Sequence, residues 1–131
     1  MACTRHTASR APVQSEGTLT ACSTLRQRVA VLAEMRCKGH TYFHPWLKWG
    51  GDRVIPEVVS LMEEDATRTE RLITIALSPA YADKRVPEEM LNIVLVLLGY
   101  HSWASLRLER GCSQPEIAKY VTNAICKLVE K

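Results

Sequence analysis

The chain has 131 residues, of which 47% are apolar and 24% are charged, and its formal net charge is +3 at pH 7. This length is typical of one domain of about 100–150 residues. Leu, Ile, Val and Phe supply 32 of the residues, which lies above the roughly 20% typical of disordered chains. The six Gly and six Pro exclude collagen-like or low-complexity architecture. We therefore expect a small soluble globular protein.

Residues 1–22 are polar and lack helical periodicity, so we predict a flexible N-terminal segment followed by one helical domain over 23–131. The segment contains no apolar stretch of the kind found in secretory signals. The longest apolar run, Ile93–Leu98, has six residues, and a membrane helix needs about 20. The five cysteines form an odd set without an export signal, which favours free thiols in a reducing compartment. We expect a cytoplasmic protein without a membrane segment.

The first helix is predicted to begin at Ser23 or Thr24, since either side chain can cap a helix. Apolar residues then recur at helical spacing, at Leu25, Val29, Leu32 and Met35. Glycine tolerates the left-handed conformation that ends many helices. We therefore predict that this helix ends at Gly39.

Residues 40–53 are predicted to form a loop, because Pro45 and the pair Gly50–Gly51 interrupt the helical pattern. The segment holds four of the eight aromatic residues of the chain. Large rings are frequent at binding hot spots, although the same rings could cover one end of the core. Our candidate binding residues are Tyr42, Phe43, His44, Trp46 and Trp49, together with Trp103.

A second helix is predicted to start between Asp52 and Pro56. Three acids at 63–65 would be unfavourable at a helix C-terminus, so the helix either continues to Leu77 or restarts near Thr67. The spacing from Thr67 to Glu70 fits a capping box for such a restart. We favour continuation, and Ser78–Pro79 ends the element in either case.

Pro87 and the two acids after it predict another helix start. This helix is apolar on most faces as far as Leu98 and is one-sided from Gly99 to Gly111, so we predict that it is the buried central helix of the fold. Ser113 and Glu116 form a capping box for the last helix, whose apolar stripe runs to the chain end. The result is an all-α, compact bundle of four to five helices.

No catalytic pattern is present: the chain lacks a nucleophile elbow, a phosphate-binding glycine loop and a His-Glu-x-x-His sequence. Cys37, His40 and His44 place three possible metal ligands within eight residues, but zinc requires four converging ligands. The start of the last helix resembles a helix-turn-helix motif for about ten residues, until Thr122 stands where that motif turns. We expect no enzyme activity, no metal site and no cofactor.

Charge is segregated along the chain: residues 1–53 carry eight Lys and Arg against three acids, and residues 54–90 carry four against eight. This favours internal complementarity, self-association or nucleic-acid binding. Our first expectation is a non-enzymatic helical binding module that acts through a protein partner or homodimerisation. The alternatives are nucleic-acid binding by the basic first third, and a regulator responsive to a small ligand or metal at the aromatic segment 40–53.

Overall fold

The computed structural model describes residues 16–47 and 56–129, and for residues 46, 47, 56–59, 61 and 62 it describes the backbone alone. The described chain is helical and contains no strand, which confirms the predicted all-α bundle. Its helices are α1 (Glu16–Thr20), α2 (Leu25–Leu47), α3 (Pro56–Leu77), α4 (Glu88–Leu97), α5 (Tyr100–Ala104) and α6 (Gln114–Val129). A 3₁₀ turn at Ser78–Ala80 follows α3, and a π-helical turn at Ser105–Glu109 follows α5.

The central helix is α2, which packs against α1, α3, α5 and most extensively α6. Its buried side chains include Val29, Leu32 and Ala33, each 1% exposed. The prediction that the helix between Pro87 and Gly111 is the buried central helix is wrong, because only Val94, Leu98 and Trp103 of this stretch are buried. An apolar sequence therefore does not guarantee burial here: α4 packs on α3, α5 and α6 with one side only.

Helix α2 begins as predicted and ends later than predicted. The Thr24 hydroxyl accepts a hydrogen bond from the Gln27 amide at 3.1 Å, so Thr24 caps the first turn. The helix then passes through Gly39 and Pro45 to Leu47, which corrects both the predicted end at Gly39 and the predicted loop over 40–47. A glycine inside a helix costs only about 1 kcal/mol, and the contacts of the following turn with α5 outweigh it. Residues 48–53 lie outside the described residues.

Ordered structure begins earlier than predicted, since part of the segment 1–22 forms α1. Leu19 of this short helix is fully buried, and α1 packs on α2 and α3. The Glu16 carboxylate pairs with the Arg71 guanidinium of α3. Burial of a leucine explains the order of a segment whose other residues are polar. The prediction for residues 1–15 lies outside the described residues.

The acidic stretch at 63–65 lies within one uninterrupted helix, α3, which confirms the continuation that we favoured. The Thr67 hydroxyl donates to the Glu63 carbonyl oxygen at 3.1 Å and so does not cap a new helix. Asp65 accepts a hydrogen bond from Arg36 of α2 at 3.0 Å. The basic first third and the acidic middle of the chain thus meet inside the fold.

The helix predicted over 88–108 is interrupted at Gly99, whose φ of −76° and ψ of 163° are extended. Among the described residues, Glu88–Glu109 is the one stretch long and apolar enough to cross a membrane, by length and composition only; its most apolar 18 residues have a mean hydropathy of 1.2, and 17% of them are buried. After Gly111 the chain enters α6 through the predicted capping box. The Ser113 amide donates to the Glu116 carboxylate at 2.9 Å, and the Glu116 amide donates to the Ser113 hydroxyl at 3.3 Å.

Candidate functional site

Two histidines, His40 and His44, lie one turn apart on α2 and pack against the two large rings of α5. The His44 ring stacks on the Tyr100 ring with centroids 6.0 Å apart, and its Nδ1 lies 2.6 Å from the Tyr100 hydroxyl. The centroid of Trp103 is 5.5 Å from that of His44 and 6.1 Å from that of His40. This cluster ties the second half of α2 to α5, which explains why the helix continues past Gly39.

His40 is held neutral inside this cluster. Its Nε2 lies 2.7 Å from the carbonyl oxygen of Leu98, and because a carbonyl oxygen only accepts, Nε2 carries the hydrogen. Burial, with a further contribution from the positive charge of Arg36, lowers the pKa of His40 from 6.5 to about 4. The ring satisfies the Leu98 carbonyl at the end of α4, so its role is structural.

Gln114, at the start of α6, completes the polar contacts of the cluster. Its side-chain oxygen accepts a hydrogen bond from Trp103 Nε1 at 2.7 Å. Its amide nitrogen donates to the Cys37 carbonyl oxygen at 3.2 Å and to the Thr41 hydroxyl. One side chain thus joins α2, α5 and α6, and the indole N–H of a buried tryptophan is satisfied.

The described candidate binding residues fall into two pairs. His44 and Trp103 meet in the cluster, where Trp103 is 4% exposed and therefore belongs to the core. Tyr42 and Phe43 are half-buried and contact each other edge to face at 5.2 Å. The side chain of Trp46 and the whole of Trp49 lie outside the described residues.

The three side chains of the sequence motif Cys37-x2-His40-x3-His44 are buried or hydrogen-bonded to residues outside the motif. Burial raises the pKa of the Cys37 thiol to about 11, so the thiol is protonated at neutral pH. His40 and His44 bond Leu98 and Tyr100 respectively. Among the described residues no group of three or more His, Cys, Asp or Glu is placed to hold a metal ion.

Two cations of the basic first third, Arg28 and Arg36, are bound within the fold. Arg28 donates to the backbone carbonyl oxygens of Cys22 and Ile75, and Arg36 is 8% exposed and bonds Asp65. These two guanidinium groups are thus unavailable to phosphate groups. Arg5, Arg10 and Lys48, which the nucleic-acid hypothesis also invokes, lie outside the described residues.

Large apolar side chains remain exposed on one set of elements. Among the described residues, the exposed large hydrophobic residues lie on α4, the π-helical turn and α6, namely Ile93, Val96, Leu108, Tyr120 and Leu128. Val96 is the extreme case, with 69% of its surface exposed. Helix α6 packs against both α4 and the π-helical turn, so the five residues lie on elements that contact α6, and together they are here called the α4–α6 surface.

A groove runs between α2 and α6, which are antiparallel. At one end Arg26 donates to the Asn123 side chain at 2.8 Å, and at the other Gln114 bonds Cys37. The groove has a volume of about 470 Å³. Its lining alternates small side chains with charged ones, including Ala30, Glu34, Lys38, Pro115, Ala118 and Lys119. We call it the α2–α6 groove.

Neither of these surfaces follows from residue type alone. Ile93 and Val96 are assigned to the core by their apolar character, and only the one-sided packing of α4 shows them to be exposed. The groove has one sequence signal, small and charged residues at four-residue spacing from Arg26 to Lys38. No protein-family model, no curated protein and no solved structure matches this chain.

Proposed function

We propose that this protein is a non-enzymatic helical module that self-associates as a homodimer through the α4–α6 surface. The observation that carries the proposal is the exposure of Val96 and Ile93, 69% and 40%, on the helix that the sequence marks as the most apolar. Single exposed hydrophobic residues are ordinary on protein surfaces. Five large ones confined to three touching elements are typical of an interaction surface.

The arrangement of α4 suits contact with another helix. Ile93 and Val96 are three residues apart and so share one face, and Val94 and Leu98 anchor the opposite side of the helix in the core. An exposed apolar helix face buries itself most simply against an equivalent face. Standard interfaces bury about 800 Å² from each partner, so a dimer of this kind would also use residues around these five.

The distribution of charge favours a second copy of this chain as the partner at the α4–α6 surface. Two exposed acids, Glu88 and Glu89, stand at the start of α4, and two exposed arginines, Arg107 and Arg110, lie in and just after the π-helical turn. In a two-fold interface the same patch pairs with itself. A two-fold pairing that brings the arginines of each copy toward the acids of the other would therefore be favourable.

The proposal is tested by light scattering after size exclusion, over a range of protein concentrations, on the wild type and on Val96→Lys. We expect a dimer for the wild type and a dissociation constant raised at least about tenfold in the variant, since a lysine would be buried at the interface. The matched control is Thr74→Lys, which adds the same charge at an exposed position of α3. This control should dimerise like the wild type.

Folding is not expected to confound the comparison. Val96 and Thr74 both lie near helix C-terminal ends, where a cation is favourable, and lysine has a higher helix propensity than valine or threonine. Circular dichroism should show equal helix content in all three proteins. A wild type that is monomeric at every concentration overturns the proposal, and so does unchanged dimerisation of Val96→Lys. Sedimentation of a monomer with lipid vesicles would assign the surface to a membrane instead.

A further inference from the structure

We propose that the α2–α6 groove binds an amphipathic helix with acidic flanks, supplied by a partner protein. The groove lies apart from the α4–α6 surface. Successive helix residues are about 100° apart, so Ala118, which lines the groove, and Tyr120, which lies on the α4–α6 surface, point in directions about 200° apart around α6. The protein thus offers two separate contacts, one to its own copy and one to a partner.

The floor of the groove admits a helix backbone. Small side chains face it from both walls, Ala30 from α2 and Pro115 and Ala118 from α6. Small residues allow close approach of a third helix, whose apolar side chains would fill the space between the two walls. From Arg26 to Lys38 the groove follows twelve residues of α2, about 18 Å at 1.5 Å per residue, which corresponds to about three turns of a bound helix.

The charges around the groove select the partner. Three cations line it, Arg26, Lys38 and Lys119, against one acid, Glu34. Arg26 and Lys38 stand at opposite ends, and Lys119 is on the facing wall between them, because α2 and α6 are antiparallel. A ligand with a single acidic group would reach one of these cations. A helix with several acidic residues beside an apolar stripe reaches all three.

The probe is a fluorescein-labelled synthetic peptide of about 14 residues, with leucine at i, i+3, i+4 and i+7 and glutamate on both flanks. Binding is followed by fluorescence anisotropy with the full-length protein. We expect saturable binding that weakens as salt increases. A second peptide with lysine in place of each glutamate is expected to bind at least about tenfold more weakly, because it meets cations of like charge.

The decisive variant is Lys119→Glu, and its matched control is Lys127→Glu, the same charge reversal at an exposed position of the same helix outside the groove. We expect affinity for the acidic peptide to fall at least about tenfold in the first and to change less than about twofold in the second. Val96→Lys should bind the peptide as the wild type does, which separates the groove from the α4–α6 surface.

Three results would each overturn the proposal. They are absence of binding to the wild type, equal loss in Lys119→Glu and Lys127→Glu, and equal affinity for the acidic and basic peptides. Loss of binding in Val96→Lys would move the peptide to the α4–α6 surface and would also overturn it. Circular dichroism of Lys119→Glu at the assay temperature should match that of the wild type, which would show that a lost affinity does not reflect unfolding.

Discussion

At the scale of single residues, His40 is a buried side chain whose pKa is strongly lowered by its surroundings. It is 6% exposed and bonds the Leu98 carbonyl. Its pKa in the folded protein, about 4, lies below the unfolded value of 6.5 because burial disfavours the charged ring and Arg36 is close. Between these two pH values the unfolded chain binds more protons than the folded chain, so acidification destabilises the fold.

We therefore expect the free energy of unfolding to fall as pH decreases from 6.5 to 4, by up to about 3 kcal/mol from this residue. Urea unfolding across this range measures the effect. His40→Gln keeps a donor for Leu98 but does not titrate, so its stability should depend less on pH. At pH 7 the same variant should lose about 1–2 kcal/mol, because a well-fitted buried hydrogen bond is replaced.

The control is His101→Gln, which removes an exposed imidazole from the same region without breaking a buried hydrogen bond. This variant should keep the acid-dependent loss of stability seen in the wild type. An unchanged pH dependence in His40→Gln would contradict the assignment of that loss to His40.

At the scale of helices, two glycines have opposite roles. Gly39 is inside α2, and a Cβ added there would meet no atom within 4 Å. Gly111 ends the π-helical region with φ of +70°, a conformation that side chains with a Cβ rarely adopt. The sequence predicts a helix end at both positions, and the difference arises because only Gly39 is followed by residues that pack on α5.

We expect Gly39→Ala to stabilise the protein by about 0.5–1 kcal/mol, because alanine restricts the unfolded chain and favours the helix. Gly111→Ala should destabilise it by about 1 kcal/mol, because the left-handed conformation strains a residue with a Cβ. Urea denaturation of both variants at one pH measures the pair. Stabilisation by Gly111→Ala, or destabilisation by Gly39→Ala, would contradict the backbone conformations described here.

At the scale of the whole molecule, burial is uneven around the central helix α2. Leu32, Leu72 and Ile125 are at most 1% exposed and form a core shared by α2, α3 and α6. The α4–α6 surface keeps its large side chains exposed. An association that covers this surface would bury apolar area that folding of one chain leaves in water.

Since a dimer forms only from folded chains, self-association couples stability to protein concentration. We expect the thermal unfolding midpoint of the wild type to rise with concentration and that of Val96→Lys to rise less over the same range, because its dimer is weaker. Calorimetry at several concentrations, with Thr74→Lys as the control that keeps the dependence, provides the measurement. A midpoint independent of concentration in the wild type would contradict self-association.

Local chemistry by itself determined much of this protein. Helix caps and helix-ending prolines depend on only a few neighbouring residues. The amino-acid sequence therefore predicts the cap at Thr24, the capping box of Ser113 and Glu116, and the helix end before Ser78–Pro79. The helical spacing of apolar residues likewise predicts an all-α fold. The candidate binding aromatics were a weaker inference, because ring size does not distinguish a core residue such as Trp103 from a surface residue.

Which helix is central and which face stays exposed depend on how the helices pack together. Apolar periodicity indicates which face of a helix is apolar. The number of other helices that pack around it depends on contacts between residues far apart in sequence. His44 and Tyr100, 56 residues apart, carry α2 past Gly39, and one-sided packing leaves Val96 of α4 in solvent. The groove likewise forms only because α2 and α6 pack side by side, since each of the two helices supplies one of its walls.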